Sequence, residues 1–368
     1  MIFFANPQEQ FKSYKQEIEN AVLKVLSSKN FILGSEVNSL EKEFAEYIGA
    51  NFSIGVANGT DAIEISLRAL NIGKGDEVIT VSHTAVATVS AIESSGATPI
   101  LVDIEEDFFT LDINKLDEVV SKKTRAIICV HLYGQPGNII KIRDYCKKND
   151  LYLIEDVSQA HGSTFKNIKL GLFGDISCFS CYPTKNLGAI GDAGLIVTNN
   201  EKHAKNIKAI REYGWQTKRY LSDLVGRNSR MDEIQAAILR IKLKNLDKDN
   251  LKRIRIAKIY SDHLRDKDLI LPKLRKDSLH VFHLYVIRSR ERDKLLNFLK
   301  EKEIFAGIHY PFPIHKQPAY KKRFKTSESM LVTEIASKEV LSLPIYPELN
   351  DNDIDYILEM FTLFLSKK

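Results

Sequence analysis

The chain has 368 residues, 44% of them hydrophobic and 27% charged, an ordinary globular composition that excludes a disordered or fibrous protein. Its net charge of +5 comes from 53 basic and 48 acidic residues, too even a balance for a dedicated nucleic-acid binder, though it suits a local anion site. No apolar run approaches the roughly 20 residues that cross a bilayer. The opening MIFFANPQEQFKSYKQ has no basic region followed by a long apolar core, so no secretory signal is expected and a cytoplasmic location is the default.

Taken in chain order, residues 8–28 set Phe11, Tyr14, Ile18, Val22 and Val25 at helical spacing and predict one amphipathic helix. A second helix is expected over 36–49, with Ser35 as its N-cap. From there to about residue 200, short β-rich runs alternate with helical ones. DEVITV (76–81), TPILVD (98–103), RAIICVHL (125–132), LYLIED (151–156), ISCFSC (176–181) and LIVT (195–198) predict strands. TDAIEISLRAL (60–70), TAVATVSAIESSG (84–96) and IIKIRDYCKKND (139–150) predict helices. The alternation predicts an α/β fold with a mainly parallel sheet covered on both faces, and ligands of such folds bind beyond the carboxyl ends of the strands.

Residues 202–212 and 229–265 read as helical. The run KNLDKDNLKRIRIAK (244–258) reads as a solvated helix face, because mixed-sign charge marks exposure. After LILP (269–272) a strand–helix pattern resumes with HLYVIRS (283–289) and RDKLLNFLKEKEI (292–304), followed by the Pro- and His-rich loop HYPFPIHKQPAY (309–320). A large domain at 1–240 and a smaller α+β domain at 241–368 are expected. Cys178 and Cys181 form a C-x-x-C, yet they lie in a strand-like run where residues three apart face opposite sides. No second such pair completes a zinc site, so no metal is expected.

Three places carry chemistry. Asn58-Gly59-Thr60-Asp61 opens a predicted helix, whose free N–H groups and dipole suit a phosphate, or the segment only caps the helix. Asp156 ends the strand LYLIED; a carboxylate there needs a cationic partner such as a protonated ring nitrogen, or it only caps the next helix. Lys185 follows 29 positions later (185 − 156), with the Ser180 hydroxyl inside the preceding strand. Gly188, Gly191 and Gly194 imitate a dinucleotide fingerprint, but that motif leads into a helix and these glycines lead into another strand. A phosphate cradle, a buried carboxylate and an imine-forming lysine are what pyridoxal phosphate (PLP) chemistry requires.

The blocks IEDVSQAHG, FGDISCFSCYPTKNLGAIGDAGLIVTN and GRNSRMDEIQAAIL resemble the signatures of the DegT/DnrJ/EryC1/StrS sugar aminotransferases, and the resemblance extends over nearly the whole chain. It implies the aspartate aminotransferase-like fold (fold type I). Lys185 would then bond the PLP aldehyde, Asp156 would pair with the pyridine nitrogen, and Gln159 would contact the ring oxygen. Gly59, Thr60 and Ser180 would hold the phosphate, with Asn228 reaching it from the other subunit of a homodimer with shared sites; without the family, Asn228 reads equally as a turn amide. The substrates implied are L-glutamate and a nucleotide-linked keto sugar.

One position departs from the family pattern. Where many members stack an aromatic on the cofactor ring, this chain has Ala85. Either His83 or another side chain covers that face, or it stays open to substrate; His83 reads equally as a hydrogen-bonded loop histidine. HTAVAT is similar to the subgroup that aminates C-3 of dTDP-3-keto-6-deoxyhexoses; a 4-keto (C-4) enzyme is the alternative. Lys218, Arg219, Arg227 and Arg230 are candidate cations for the sugar's diphosphate, or surface charges. Tyr310 and His315 are candidate sugar contacts, or parts of a rigid connection. Related dehydratases replace the lysine with histidine, so Lys185 opposes that activity. The Asp156/Lys185 pair opposes a non-catalytic regulator, and the glycine context opposes an NAD enzyme.

Overall fold

Seven strands form the central sheet, in the order Phe52–Val56, Gly194–Thr198, Ile176–Ser180, Tyr152–Asp156, Thr124–Val130, Glu77–Val81, Thr98–Val102. Neighbours are parallel except around Gly194–Thr198, which runs against both strands beside it. The computed structural model describes residues 1–265 and 268–366. The strands are apolar on both faces because helices cover both, so they read as continuous Val/Ile runs. The predicted α/β fold with a mainly parallel sheet is the one observed.

Local chemistry sets where the elements begin. The helix expected over 8–28 is two: α1 (Pro7–Ser13) and α2 (Lys15–Leu26). They break at Tyr14, whose backbone leaves the helical region while its hydroxyl donates to Asp249 Oδ2 at 2.8 Å. In α3 (Ser35–Ile48) the N-cap is Gly34, not Ser35. The Glu233 carboxylate does the capping, accepting the N–H groups of Gly34, Glu36 and Val37 at 2.7–2.9 Å. An anion at a helix N-terminus satisfies free donors and the dipole together.

The strand Phe52–Val56 was not among those predicted; it leads into α4 (Gly59–Ala69). Then come α5 (Val86–Ser95), α6 (Ile139–Lys148), α7 (Glu201–Ile210) and the 32-residue α8 (Glu233–Leu264). The basic run in α8 is solvated on one side only. Lys244, Lys248, Arg255 and Lys258 are exposed, whereas Asn250 and Arg253 are buried. Arg253 is held by the Ile345 carbonyl at 2.8 Å.

A second apolar cluster gathers the C-terminal half of α8, α9 (Arg292–Glu301), α11 (Asp351–Leu365) and the antiparallel pair Tyr285–Arg288/Val340–Leu343. The helix α10 (Leu331–Glu339) leads into Val340. Ile2–Phe3 pairs with Ile304–Phe305, so the first residues of the chain belong to this cluster. Residues 240 and 241 both lie inside α8. Among the described residues no helix is long and apolar enough to cross a membrane, and no group of three or more His, Cys, Asp or Glu could hold a metal ion. All four cysteines are free and buried.

Candidate active site

The site lies at the carboxyl edge of the sheet, where a cavity of about 240 Å³ is lined by Gly59, Thr60, Asp156, Gln159, Ser180 and Lys185. Six of the seven cofactor residues expected from the sequence thus meet in one place. Three chain segments bring them there. Strand Tyr152–Asp156 ends in Asp156, strand Ile176–Ser180 ends in Ser180, and α4 begins at Gly59.

The start of α4 is built for a close approach. Asn58 caps it, its Oδ1 accepting Asp61 N–H at 2.8 Å. A Cβ added to Gly59 would lie 2.5 Å from Ser180 Cβ, so only glycine lets the helix end and the strand end share this corner. Free N–H groups of the first turn and the Ser180 hydroxyl then border the same space, a donor set suited to an anion. Asp61 itself turns away from the corner: Ser229 Oγ donates to its Oδ2 at 2.7 Å, and Arg227 pairs with it at 3.1 Å.

Asp156 is buried, 6% exposed. Thr88 Oγ1 donates to its Oδ2 at 3.1 Å and Ser158 N–H to its Oδ1 at 3.2 Å. Among the described residues it forms no ion pair within 4.0 Å, so a carboxylate faces the cavity with a hydroxyl and an amide for company and no cation bonded to it. A protonated ring nitrogen fits that need. Gln159 is fixed at both ends of its amide: Oε1 accepts Tyr133 N–H at 2.8 Å, and Nε2 donates to the Tyr310 hydroxyl at 3.1 Å.

Lys185 stands on a loop that folds back on itself, with Lys185 N–H bonded to the Tyr182 carbonyl and Ala189 N–H to the Cys181 carbonyl, both at 2.8 Å. Burial lowers its amine from the ordinary 10.5 to about 8, against Asp156 and Cys181, which favour the ammonium. An amine of that pKa is neutral in roughly one molecule in ten at pH 7, enough to act as nucleophile or base.

The other expected residues lie elsewhere. His83 is fully buried, its Nε2 within 2.7 Å of the Tyr133 hydroxyl and its Nδ1 within 3.3 Å of Ser337 Oγ; the cavity wall at that point is Thr84, Ala85, Ala87 and Thr88. His83 is therefore not part of the cavity lining. His315 is engaged by Ser82 and Glu334 and is absent from the lining. Tyr310 is absent from the lining and is tied to the site through Gln159. Arg227 is committed to Asp61 and Glu64 and is not a free cation. Arg219 is exposed on the hairpin Trp215–Lys218/Leu221–Ser222, over the ring of Tyr220. Asn228 is exposed and pairs with Glu212, outside the cavity of its own chain.

Thr88 and Ser158, which the sequence does not single out, also border the cavity, as does Asn58 of the Asn58–Asp61 segment. Asn58 was readable as an N-cap and Ser158 stands two residues past Asp156. Thr88 had no local signal, since its partner is 68 positions away.

Residues 12–362 match the model of the DegT/DnrJ/EryC1/StrS aminotransferase family. The chain is 43% identical to a dTDP-3-amino-3,6-dideoxy-alpha-D-galactopyranose transaminase of Aneurinibacillus thermoaerophilus, over 98% of both chains. It is 41% identical to a pleiotropic regulatory protein of Geobacillus stearothermophilus, over 97% of this chain and 96% of that one. Among solved structures, DesV of S. venezuelae in complex with a ketimine intermediate superposes with a TM-score of 0.96 at 36% identity, covering 99% of this chain and 98% of that chain. With the strand order, the glycine corner and the Lys185/Asp156 cavity already in place, these matches decide the assignment: the chain belongs to the DegT/DnrJ/EryC1/StrS aminotransferase family.

Proposed function

We propose that this chain moves an amino group from L-glutamate to C-3 of a dTDP-linked 3-keto-6-deoxyhexose, with PLP as cofactor. The observation that carries the reading is the meeting of Lys185 and Asp156 in one cavity whose far wall is the N-terminus of α4. The substrate class follows the Aneurinibacillus relative. Lys185 Nζ would bond the cofactor aldehyde, Asp156 the pyridine nitrogen, and Gln159 the ring oxygen. Gly59, Thr60 and Ser180 would hold the phosphate. Asn228 would come from the second subunit of a homodimer, which accounts for its exposure on its own chain.

When bound, PLP supplies the electron sink that makes a carbanion at the donor's α-carbon accessible. Lys185 Nζ, neutral in a useful fraction near pH 7–8, takes the proton from that α-carbon. Asp156 would hold the proton of the pyridine nitrogen with its carboxylate. Thr88 and the Ser158 amide orient its two oxygens. Ala85, Ala87 and Thr84 make one wall of small side chains, which leaves room for a sugar beside the reacting atoms.

The test has two stages. Borohydride treatment of the PLP-loaded protein should leave a tag on Lys185 alone. Glutamate with a panel of nucleotide-linked keto sugars should then yield 2-oxoglutarate and a product aminated at C-3 by NMR. Turnover of 4-keto sugars with none of 3-keto ones would move the assignment to C-4. Failure to take nitrogen from glutamate would leave a regulator, the role that the name of the Geobacillus relative carries.

A further inference from the structure

The loop that carries Lys185 is gripped from one side by a single helix. Three polar residues of α8, seven and eight positions apart, touch it in turn. Gln235 Oε1 accepts Ile190 N–H at 3.1 Å, Lys242 Nζ donates to the Gly188 carbonyl at 2.7 Å, and Asn250 Oδ1 accepts Asn186 Nδ2 at 2.7 Å. Two helical turns are about 7.2 residues, so this spacing keeps the three on one side of α8.

Lys242 is the unusual member. It is 3% exposed, and its only hydrogen-bond partners among the described residues are neutral: the Gly188 carbonyl and Gln10 Oε1, the latter at 2.9 Å. Among those residues no carboxylate forms an ion pair with it within 4.0 Å; Glu348 and Asp249 favour its charge only from farther away. Burying an ammonium without a bonded counter-ion is costly, and an apolar residue of the same length would pack there without that cost. What the ammonium does achieve is a charge-assisted bond to a carbonyl three residues beyond Lys185, stronger than a neutral one. Through Gln10 it also fastens α1 to the same loop.

We infer that Lys242 is a positioning residue for Lys185: its ammonium clamps the Gly188 carbonyl so that the Lys185 amine is presented to the cavity in bonding position. This rests on the reading that Lys185 bonds PLP. The Lys185 loop makes further bonds to α8, so removal of the clamp should misplace the amine without releasing the loop altogether.

The experiment compares wild type, Lys242→Met, which keeps the length and removes the donor, and Lys242→Gln, which keeps a neutral donor. PLP is titrated into each cofactor-free protein, the absorbance band of the lysine-bound cofactor is recorded, and thermal unfolding is followed separately. Lys242→Met should weaken PLP binding at least tenfold and displace the band, and Lys242→Gln should recover part of the loss. Wild-type affinity and band position in Lys242→Met, whatever its melting temperature, would overturn the inference, as would equal loss in both variants. Should Lys242→Met not fold, Lys242→Gln decides alone: a threefold or greater loss with a displaced band supports the clamp, and wild-type values refute it. A wild-type protein that shows no such band at all counts against the PLP reading itself.

Discussion

Thr88 Oγ1 donates to Asp156 Oδ2 at 3.1 Å, joining the first turn of α5 to the end of the strand Tyr152–Asp156. Asp156 is thereby held by a neighbour that cannot neutralise it. A carboxylate so arranged stays available for a cationic ligand group while its rotation is restricted.

Replacing Thr88 with valine keeps the shape and deletes that bond. A hydrogen bond to a charged group is worth about 1.5–3 kcal/mol, so Thr88→Val should lower kcat/KM for glutamate roughly tenfold or more. Stopped-flow measurement of the glutamate half-reaction checks it; an unchanged rate would mean that Asp156 does not depend on this contact.

Gly59→Ala should be harmful for a steric reason, because the new Cβ would meet Ser180 Cβ at 2.5 Å and Ser180 Cα at 3.0 Å. Overpacking of this kind costs about 1–3 kcal/mol of stability. The same displacement would open the anion corner, so PLP affinity should fall as well. Urea unfolding and PLP titration measure the two effects, and an alanine protein with wild-type values in both would show that the corner yields freely.

The lysine pKa values give a pH signature. Lys185 and Lys242 both sit at about 8 in the folded chain, against 10.5 for an ordinary lysine. Between those values the unfolded chain holds protons that the folded one has released, so these groups make cofactor-free stability rise with pH from about 8 towards 10.5. Below about 8 both states are protonated and the burial penalty is fully present. Lys185→Met should flatten the rise in urea unfolding followed across this window. A slope equal to wild type would show that Lys185 is not depressed. For the same reason, PLP attachment should accelerate with pH and level off above about 8.

Sharing of sites between subunits can be read by mixing two inactive proteins. Lys185→Ala and Asn228→Ala each spoil both sites of a homodimer, but a mixed dimer places both changes in one site and leaves the other intact. Random exchange should restore about a quarter of wild-type activity. If Asn228 served its own chain, mixing would restore nothing.

The parts of the site visible in the sequence were those where chemistry is local. Asp156 ends an apolar strand, Lys185 follows a strand, and Gly59 opens a helix, so each could be located from its neighbours. What stayed hidden depends on distant partners. The cap of α3 is Glu233, 199 positions from the Gly34 amide it accepts, so Ser35 looked like the cap. Arg253 sits in a basic run and is buried because the Ile345 carbonyl, 92 residues on, receives it. His83 is next to the cavity residue Thr84 in sequence, yet it points to Tyr133 and Ser337. The strand Phe52–Val56 lies at the sheet edge, and its short run, interrupted by Gly55 and followed at once by the Asn58 cap of α4, carries little pattern of its own.

The reversed strand Gly194–Thr198 has a mechanical consequence. Because it runs against its neighbours, Gly194 is paired directly with Ser180, and the two feet of the Lys185 loop stand side by side on the sheet. A Cβ on Gly194 would come within 2.5 Å of the Asn58 carbonyl, which locks that footing to the α4 corner. With both feet fixed, the loop as a whole is held against the sheet. If Lys185 works as proposed, the travel of its amine draws on rotations within its own four-carbon stem rather than on a swing of the whole loop.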